Sequence, residues 1–267
     1  MSRYFRPDRV EDVSAALAAG ASLLLAGATD HFPTHGDTPR DIIDLSRLPG
    51  LRAIEARADH WWLPCLATWS DVIAADLPSQ FAGLQAAARQ IGGMQIQNRA
   101  TVVGNLCNAS PAADGIPCLL ALDASVVLSS GRVLPMSEFV LGPRRVACAP
   151  HEFVLGLRLP HQPAARAVFL KLGARRYLVI SIAMVAIVAS LQDGRITQAR
   201  IAVGACSARA ERLPALEAYL CGQIPSADLV QPHHLAGLTP IDDVRASASY
   251  RRHAALELVR RAVAGLA

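Results

Sequence analysis

Lysine is almost absent from this chain: of 26 basic residues only Lys171 is a lysine, and the other 25 are arginines. So lopsided a ratio fits a compositional bias toward arginine, which makes the solitary lysine worth following. The arginines fall in scattered pairs (Arg144 and Arg145, Arg175 and Arg176, Arg251 and Arg252, Arg260 and Arg261), and aromatic residues make up only 5%. A basic stripe with interleaved aromatics, as a nucleic-acid surface needs, is therefore missing, and the net charge of +4 has no such meaning. No two of the six cysteines are spaced C-x-x-C, so a zinc or iron–sulfur centre has no ligand cluster here. Cys65, Cys107, Cys118, Cys148, Cys206 and Cys221 read instead as buried thiols of a reducing compartment. The longest apolar run, residues 177–191, is 15 residues, short of the roughly 18 to 20 that span a bilayer. Residues 1–6 lead into no apolar segment, so the expectation is a cytoplasmic protein with no membrane span. Neither G-x-G-x-x-G nor a P-loop occurs, which excludes a Rossmann or Walker nucleotide site. Ser110 precedes Pro111 and lies in no nucleophile elbow.

What remains is a chain of 52% hydrophobic and 18% charged residues, enough for well-packed cores. Residues 11–19 predict a helix with Glu11 and Asp12 at the positive end of its dipole. Residues 22–26 and 42–45 predict strands, with a polar loop over 31–40 between them. Further strands are expected at 61–66, 125–128 and 153–159, and helices at 69–75 and 81–89. Turn signals stand at Ser130-Gly131 and Gly142-Pro143, and residues 160–165 suit a linker. Beyond it, 181–191 and 195–205 flank Asp193-Gly194, a strong hairpin signal. The first of these strands is apolar on both faces and should be central; helices at 213–220 and 249–266 follow. The fold class is α+β.

Two stretches look built to approach a ligand. In Leu24-Leu25-Ala26-Gly27-Ala28-Thr29-Asp30 a strand ends in small residues, whose exposed backbone N–H groups suit the oxygens of a diphosphate. On residues alone an ordinary tight turn is the competing reading. Residues 92–114 carry Gln95, Gln97, Asn98, Thr101, Asn105, Asn108 and Ser110 with one arginine and one carboxylate, in an otherwise apolar chain. Neutral polar groups at that density line a site, because burying them unpaired costs a few kcal/mol each. They suit a heteroaromatic ring and a ribose better than acid–base hydrolysis. An irregular structural connection is the alternative. His31 and His35 are spaced i, i+4, but Pro33 between them argues against a helical metal pair; His233-His234 and Asp242-Asp243 read as an exposed loop and a turn or cap.

The order A-G-A-T-D, then Q-I-Q-N-R-A-T-V-V-G-N-L-C-N-A-S-P-A-A-D-G-I-P-C-L-L-A-L-D-A, then F-L-K-L-G-A-R-R and R-I-A-V-G-A-C-S resembles the FAD-binding medium subunit of the xanthine dehydrogenase and carbon monoxide dehydrogenase family, the molybdenum hydroxylases. The resemblance runs from about Phe5 to Ala262. It implies an FAD-binding fold of the vanillyl-alcohol oxidase (PCMH) type in two lobes, 1–54 and 55–163, and a C-terminal α+β domain of the CO dehydrogenase flavoprotein type over 164–267. It implies FAD held by Leu24, Leu25, Ala26, Gly27, Ala28, Thr29, Asp30 and His31 in a first loop, and by Thr101, Val102, Val103, Gly104 and Asn105 in a second. Ile91, Asp114, Val154 and Lys171 fall at further cofactor positions. No catalytic side chain and no metal ligand is implied. The implied partners are a molybdopterin-binding large subunit and a [2Fe–2S] small subunit, in an (αβγ)2 heterohexamer.

Two departures bear on the site. Ala28 stands where A-G-G-T is usual, and Val103 replaces the first glycine of G-G-N. Either is strained if its backbone is left-handed and harmless if it is not. A scaffold subunit that has lost flavin, and a flavin oxidase that acts alone, are the two readings to be set against electron transfer.

Overall fold

The computed structural model describes residues 3–20, 22–31 and 41–267. Most of the expected 31–40 loop, and with it His35, lies outside the described residues.

The first lobe is a three-stranded parallel sheet in the order β1 (Tyr4–Phe5), β3 (Asp41–Asp44), β2 (Ser22–Leu25). Helix α1 (Val10–Ala18) has Glu11 and Asp12 in its first turn and buries Val13 and Leu17 in the core. Strand β2 then releases its chain into residues 26–31 at its carboxyl end.

The second lobe is a five-stranded sheet in the order β4 (Glu55–Ala56), β5 (His60–Pro64), β10 (Val154–Pro160), β6 (Ser125–Leu128), β7 (Val133–Pro135), antiparallel throughout. Between β5 and β6 come α2 (Trp69–Ala74), α3 (Ala82–Ala88), α4 (Met94–Gln97), α5 (Val102–Asn108) and α6 (Gly115–Ala121). The polar stretch 92–114 is thus a chain of short helices. Between β7 and β10 lie α7 (Met136–Phe139) and a small hairpin of β8 (Val140–Gly142) and β9 (Arg145–Val146).

The C-terminal sheet runs β11 (Ala165–Leu172), β12 (Ala183–Gln192), β13 (Arg195–Gly204), β14 (Glu211–Arg212). Asp193 and Gly194 form its two-residue turn with φ of 50° and 74°, the pair of left-handed residues that this hairpin type demands. Central placement of β12 explains its composition. Met184, Ala186 and Val188 face the core shared with the N-terminal lobes, whereas Ala183, Val185, Ile187 and Ala189 face a second core closed by α8 (Pro214–Leu220) and α9 (Ala248–Ala264). At about 1.5–3 kcal/mol for each large side chain buried, this sheet ties the two cores together.

Three expectations need correction and a fourth needs extension. Strand β11 was not foreseen, since Arg166 and Lys171 interrupt its apolar pattern, and the linker shrinks to 161–164. The expected hairpin of 181–191 and 195–205 is therefore the middle of a four-stranded sheet. Of the cysteines, Cys107 and Cys221 are exposed: Cys107 lies on α5 facing a cleft, and Cys221 follows the last turn of α8. Asp243 does more than turn the chain, because it accepts from the Arg251 guanidinium at 2.6 Å. Arg251 is 3% exposed and also donates to the carbonyls of Ile182 and Ala205.

That pair carries a pH signature. Burial acts to raise the Asp243 carboxyl, but it is outweighed by donation from the Arg245 amide, the Arg251 guanidinium, the Ala246 amide and the Arg245 side chain, which hold it down at about 2. A depressed carboxylate contributes stability above its unfolded value of about 3.9, and that stability is lost as pH falls toward the folded value. The unfolding midpoint should therefore drop between about pH 4 and pH 2. Asp243→Asn should lower the midpoint at neutral pH and flatten this acid limb, which thermal unfolding at stepped pH would measure.

Candidate cofactor-binding site

A cleft of about 520 Å³ opens where the loop after β2 meets the α4–α5 segment and the residues from Arg144 to Val154. That volume lies within the range of small-molecule and cofactor pockets. Its floor and walls are apolar, with Leu24, Leu25, Ile91, Phe153 and Val154 among them. A β-bulge between Val154 and Gly156 of β10 interrupts the ladder at the cleft, as bulges beside sites do.

The two loops meet backbone to backbone. A Cβ on Gly27 would overlap the carbonyl oxygen of Arg99 and come within 3.0 Å of the Ala100 Cα. Gly27 is thus required for close approach and not for its φ. Its neighbour Ala28 has φ of 60°, a left-handed backbone that favours glycine, and so carries strain on the order of 1–2 kcal/mol. Val103 is different: it is the second residue of α5, in a helical segment, and shows no positive φ. One of the two departures is strained and the other is not.

The start of α5 is tightly fixed. Thr101 caps it by accepting from the Gly104 amide at 2.9 Å, the Val102 amide donates to Ala67, and the Trp69 amide donates to Ala100. Val103, Gly104 and Asn105 are thereby presented to the cleft. At the other end of the helix, Asn108 donates to Asp30 at 3.4 Å and accepts from Arg144 at 3.2 Å.

All the residues assigned to the cofactor from sequence line this cleft except Val102, Asp114 and Lys171. Val102 is wholly buried behind it. Asp114 and Lys171 form a buried ion pair at 2.6 Å, with side chains 7% and 6% exposed. Ser181 donates to the other Asp114 oxygen at 2.5 Å, and the Lys171 ammonium also reaches the Gln90 carbonyl at 3.4 Å. Burial pushes the Asp114 carboxyl above its ordinary value, and the Lys171 ammonium and the Ser181 hydroxyl work against that push. The pair ties β11 to two points behind the cleft wall: Gln90, next to Ile91, and the start of α6, where Gly115 abuts Trp69 and Asn105.

Sequence reasoning missed Trp69, Arg144, Glu152 and Phe153, which also line the cleft, whereas Asn108 is one of the polar residues it singles out. Trp69 reads as an ordinary helix start, yet its indole Nε1 is buried with no hydrogen-bond partner among the described residues, as is Asn105 Oδ1. Orphaned polar atoms in a cleft wall call for a ligand with its own donors and acceptors. Glu152 is buried but already satisfied, by Arg132 at 2.7 Å, the Ala149 amide at 3.0 Å and Ser130. Neutral polar groups, small-residue backbone and apolar walls together fit a flavin dinucleotide. Among the described residues no group of three His, Cys, Asp or Glu side chains could hold a metal, and no helix is long and apolar enough to cross a membrane.

The family described as "FAD binding domain in molybdopterin dehydrogenase" matches residues 1–162, and "CO dehydrogenase flavoprotein C-terminal domain" matches 169–266. Fold and cleft therefore define an FAD-binding oxidoreductase flavoprotein. The nicotine 6-hydroxylase medium subunit of Paenarthrobacter nicotinovorans is 30% identical over 274 residues, covering 98% of this chain and 95% of the relative. The carbon monoxide dehydrogenase medium chain of Hydrogenophaga pseudoflava is 25% identical, with coverage of 97% and 95%. A solved structure of carbon monoxide dehydrogenase from Hydrogenophaga pseudoflava, lacking the Mo-pyranopterin moiety, superposes with a TM-score of 0.90 at 27% identity, covering 98% of this chain and 96% of that one. The chain belongs to the family of FAD-binding medium subunits of molybdenum hydroxylases.

Proposed function

We propose that this subunit passes electrons from the [2Fe–2S] clusters of a small partner subunit, through FAD, to an external acceptor. A molybdopterin-binding large subunit would oxidise the substrate, and the assembly would be a cytoplasmic (αβγ)2 heterohexamer. The observation that carries this reading is the cleft itself. Among the described residues its lining is mostly apolar side chains, small-residue backbone and neutral polar groups, which bind and orient, so the redox work falls to the cofactor.

In this reading the backbone of Gly27, Ala28 and Thr29, with Asp30 and His31, holds one side of the FAD, and Thr101, Val103, Gly104 and Asn105 hold the other. Leu24, Leu25, Ala26, Ile91 and Val154 exclude water from the ring. Val102, Asp114 and Lys171 fix the walls, Val102 by anchoring α5 to Ala67 and the ion pair by bracing Gln90 and α6. Bound FAD supplies the ability to take up electrons one at a time and to pass them on singly or as a pair. The chain's own residues move no proton. The lobes 1–54 and 55–163 and the domain 164–267 are taken as the working units, a division supported by one main sheet in each.

Affinity purification of the tagged subunit from its native cells tests the proposal. Recovery of a molybdenum subunit and an iron–sulfur subunit, with substrate bleaching the flavin only when both are present, is the expected result. Bleaching of the isolated subunit by a small substrate would point instead to an oxidase that acts alone.

A further inference from the structure

The cleft has a cation that nothing above employs. Among the described residues that line it, Arg144 is the one arginine and no lysine joins it, while Glu152 is already paired with Arg132. FAD carries two negative charges on its diphosphate, and neutral donors alone leave them uncompensated when they leave water.

The placement of Arg144 is costly, which sets it apart from an incidental surface arginine. Pro143 and Arg144 are the two residues between β8 and β9, and the second has φ of 55°, a position where glycine or asparagine is favoured. The turn is pinned to the end of α5: the Arg144 amide donates to Ala109 at 3.0 Å, and Ala109 is itself left-handed at 45°. The Arg144 guanidinium donates to Asn108, whose side-chain amide donates in turn to Asp30 of the first cofactor loop. Two strained backbones and a side-chain relay thus hold one guanidinium at the lip of the cleft, and strain retained beside a site points to a role there.

We propose that Arg144 is the counter-charge for the FAD diphosphate, positioned by Asn108, so that it discriminates phosphorylated flavins from the bare ring. This rests on the reading of the cleft as the FAD site.

The test compares FAD with riboflavin, which has the same ring and no phosphate, by fluorescence titration of the flavin-stripped protein. Arg144→Gly is the informative variant, because glycine relieves the turn and removes only the side chain. FAD affinity should fall about tenfold or more in Arg144→Gly, with riboflavin affinity unchanged and a shallower salt dependence for FAD. Arg144→Lys should recover part of the loss. An unchanged FAD affinity in Arg144→Gly, or equal losses for FAD and riboflavin, would overturn the assignment while leaving the FAD site standing. Failure of the unaltered protein to bind FAD would overturn both.

Discussion

Replacing Gly27 by alanine should yield a folded protein that purifies without flavin. The added Cβ has nowhere to go: the Arg99 carbonyl oxygen occupies its place, the carbonyl carbon stands 2.8 Å away, and all of these are backbone atoms. A flexible side chain could swing aside, but here one cofactor loop must part from the other. Overpacking of this kind costs about 1–3 kcal/mol in stability. The effect on FAD should be larger, because both walls of the cleft are displaced at once, and a loss of at least a hundredfold in affinity is expected, on the order of 3 kcal/mol. Flavin content after gel filtration, with the unfolding midpoint measured alongside, separates the two effects. Full flavin occupancy in Gly27→Ala would mean that the loops need not touch.

The second large effect is expected at Lys171. Removing its ammonium in Lys171→Met leaves Asp114 buried, 7% exposed, with only the Ser181 hydroxyl on one of its oxygens. Breaking a buried pair from one side costs about 3–5 kcal/mol, whereas replacing both partners by apolar groups is nearly neutral. Lys171→Met should therefore be severely destabilised, and Lys171→Met with Asp114→Leu should recover most of the loss. The pH dependence has a definite sign. Without Lys171 the carboxyl has a raised folded value, so the protein favours its protonated form. The destabilisation should then shrink as pH falls toward 4 and grow as it rises. Lys171→Arg should also fail to restore the pair, because a planar guanidinium does not fit a site built for a compact ammonium. Chemical denaturation at pH 5 and pH 8 would check each variant. Equal stability of Lys171→Arg and the unaltered protein would return the lone lysine to compositional accident.

Much of the architecture was legible along the chain because it is written locally. The doubly apolar β12, the Asp193-Gly194 turn and the acidic first turn of α1 are each set by a few adjacent residues. Both cofactor loops were legible too, as dense small and polar residues between apolar segments. Of the third wall only Val154 was. Arg144 and Glu152 reach the cleft only after β10 has paired with β5 and β6, and nothing near Pro143 shows what its turn will face. Strand β11 was hidden for a related reason: its pattern makes sense only once its register against β12 is known. The departures at Ala28 and Val103 look alike in sequence, and only backbone geometry separates a left-handed alanine from a helical valine. The orphaned Trp69 and Asn105 atoms likewise belong to tertiary packing, since Gly115 brings the two together.

The most direct measurement is the flavin content of the purified, folded chain. The account predicts a yellow protein that releases one FAD per chain on denaturation, or takes it up stoichiometrically when stripped. A folded protein that is colourless, and that binds no added FAD, would contradict it.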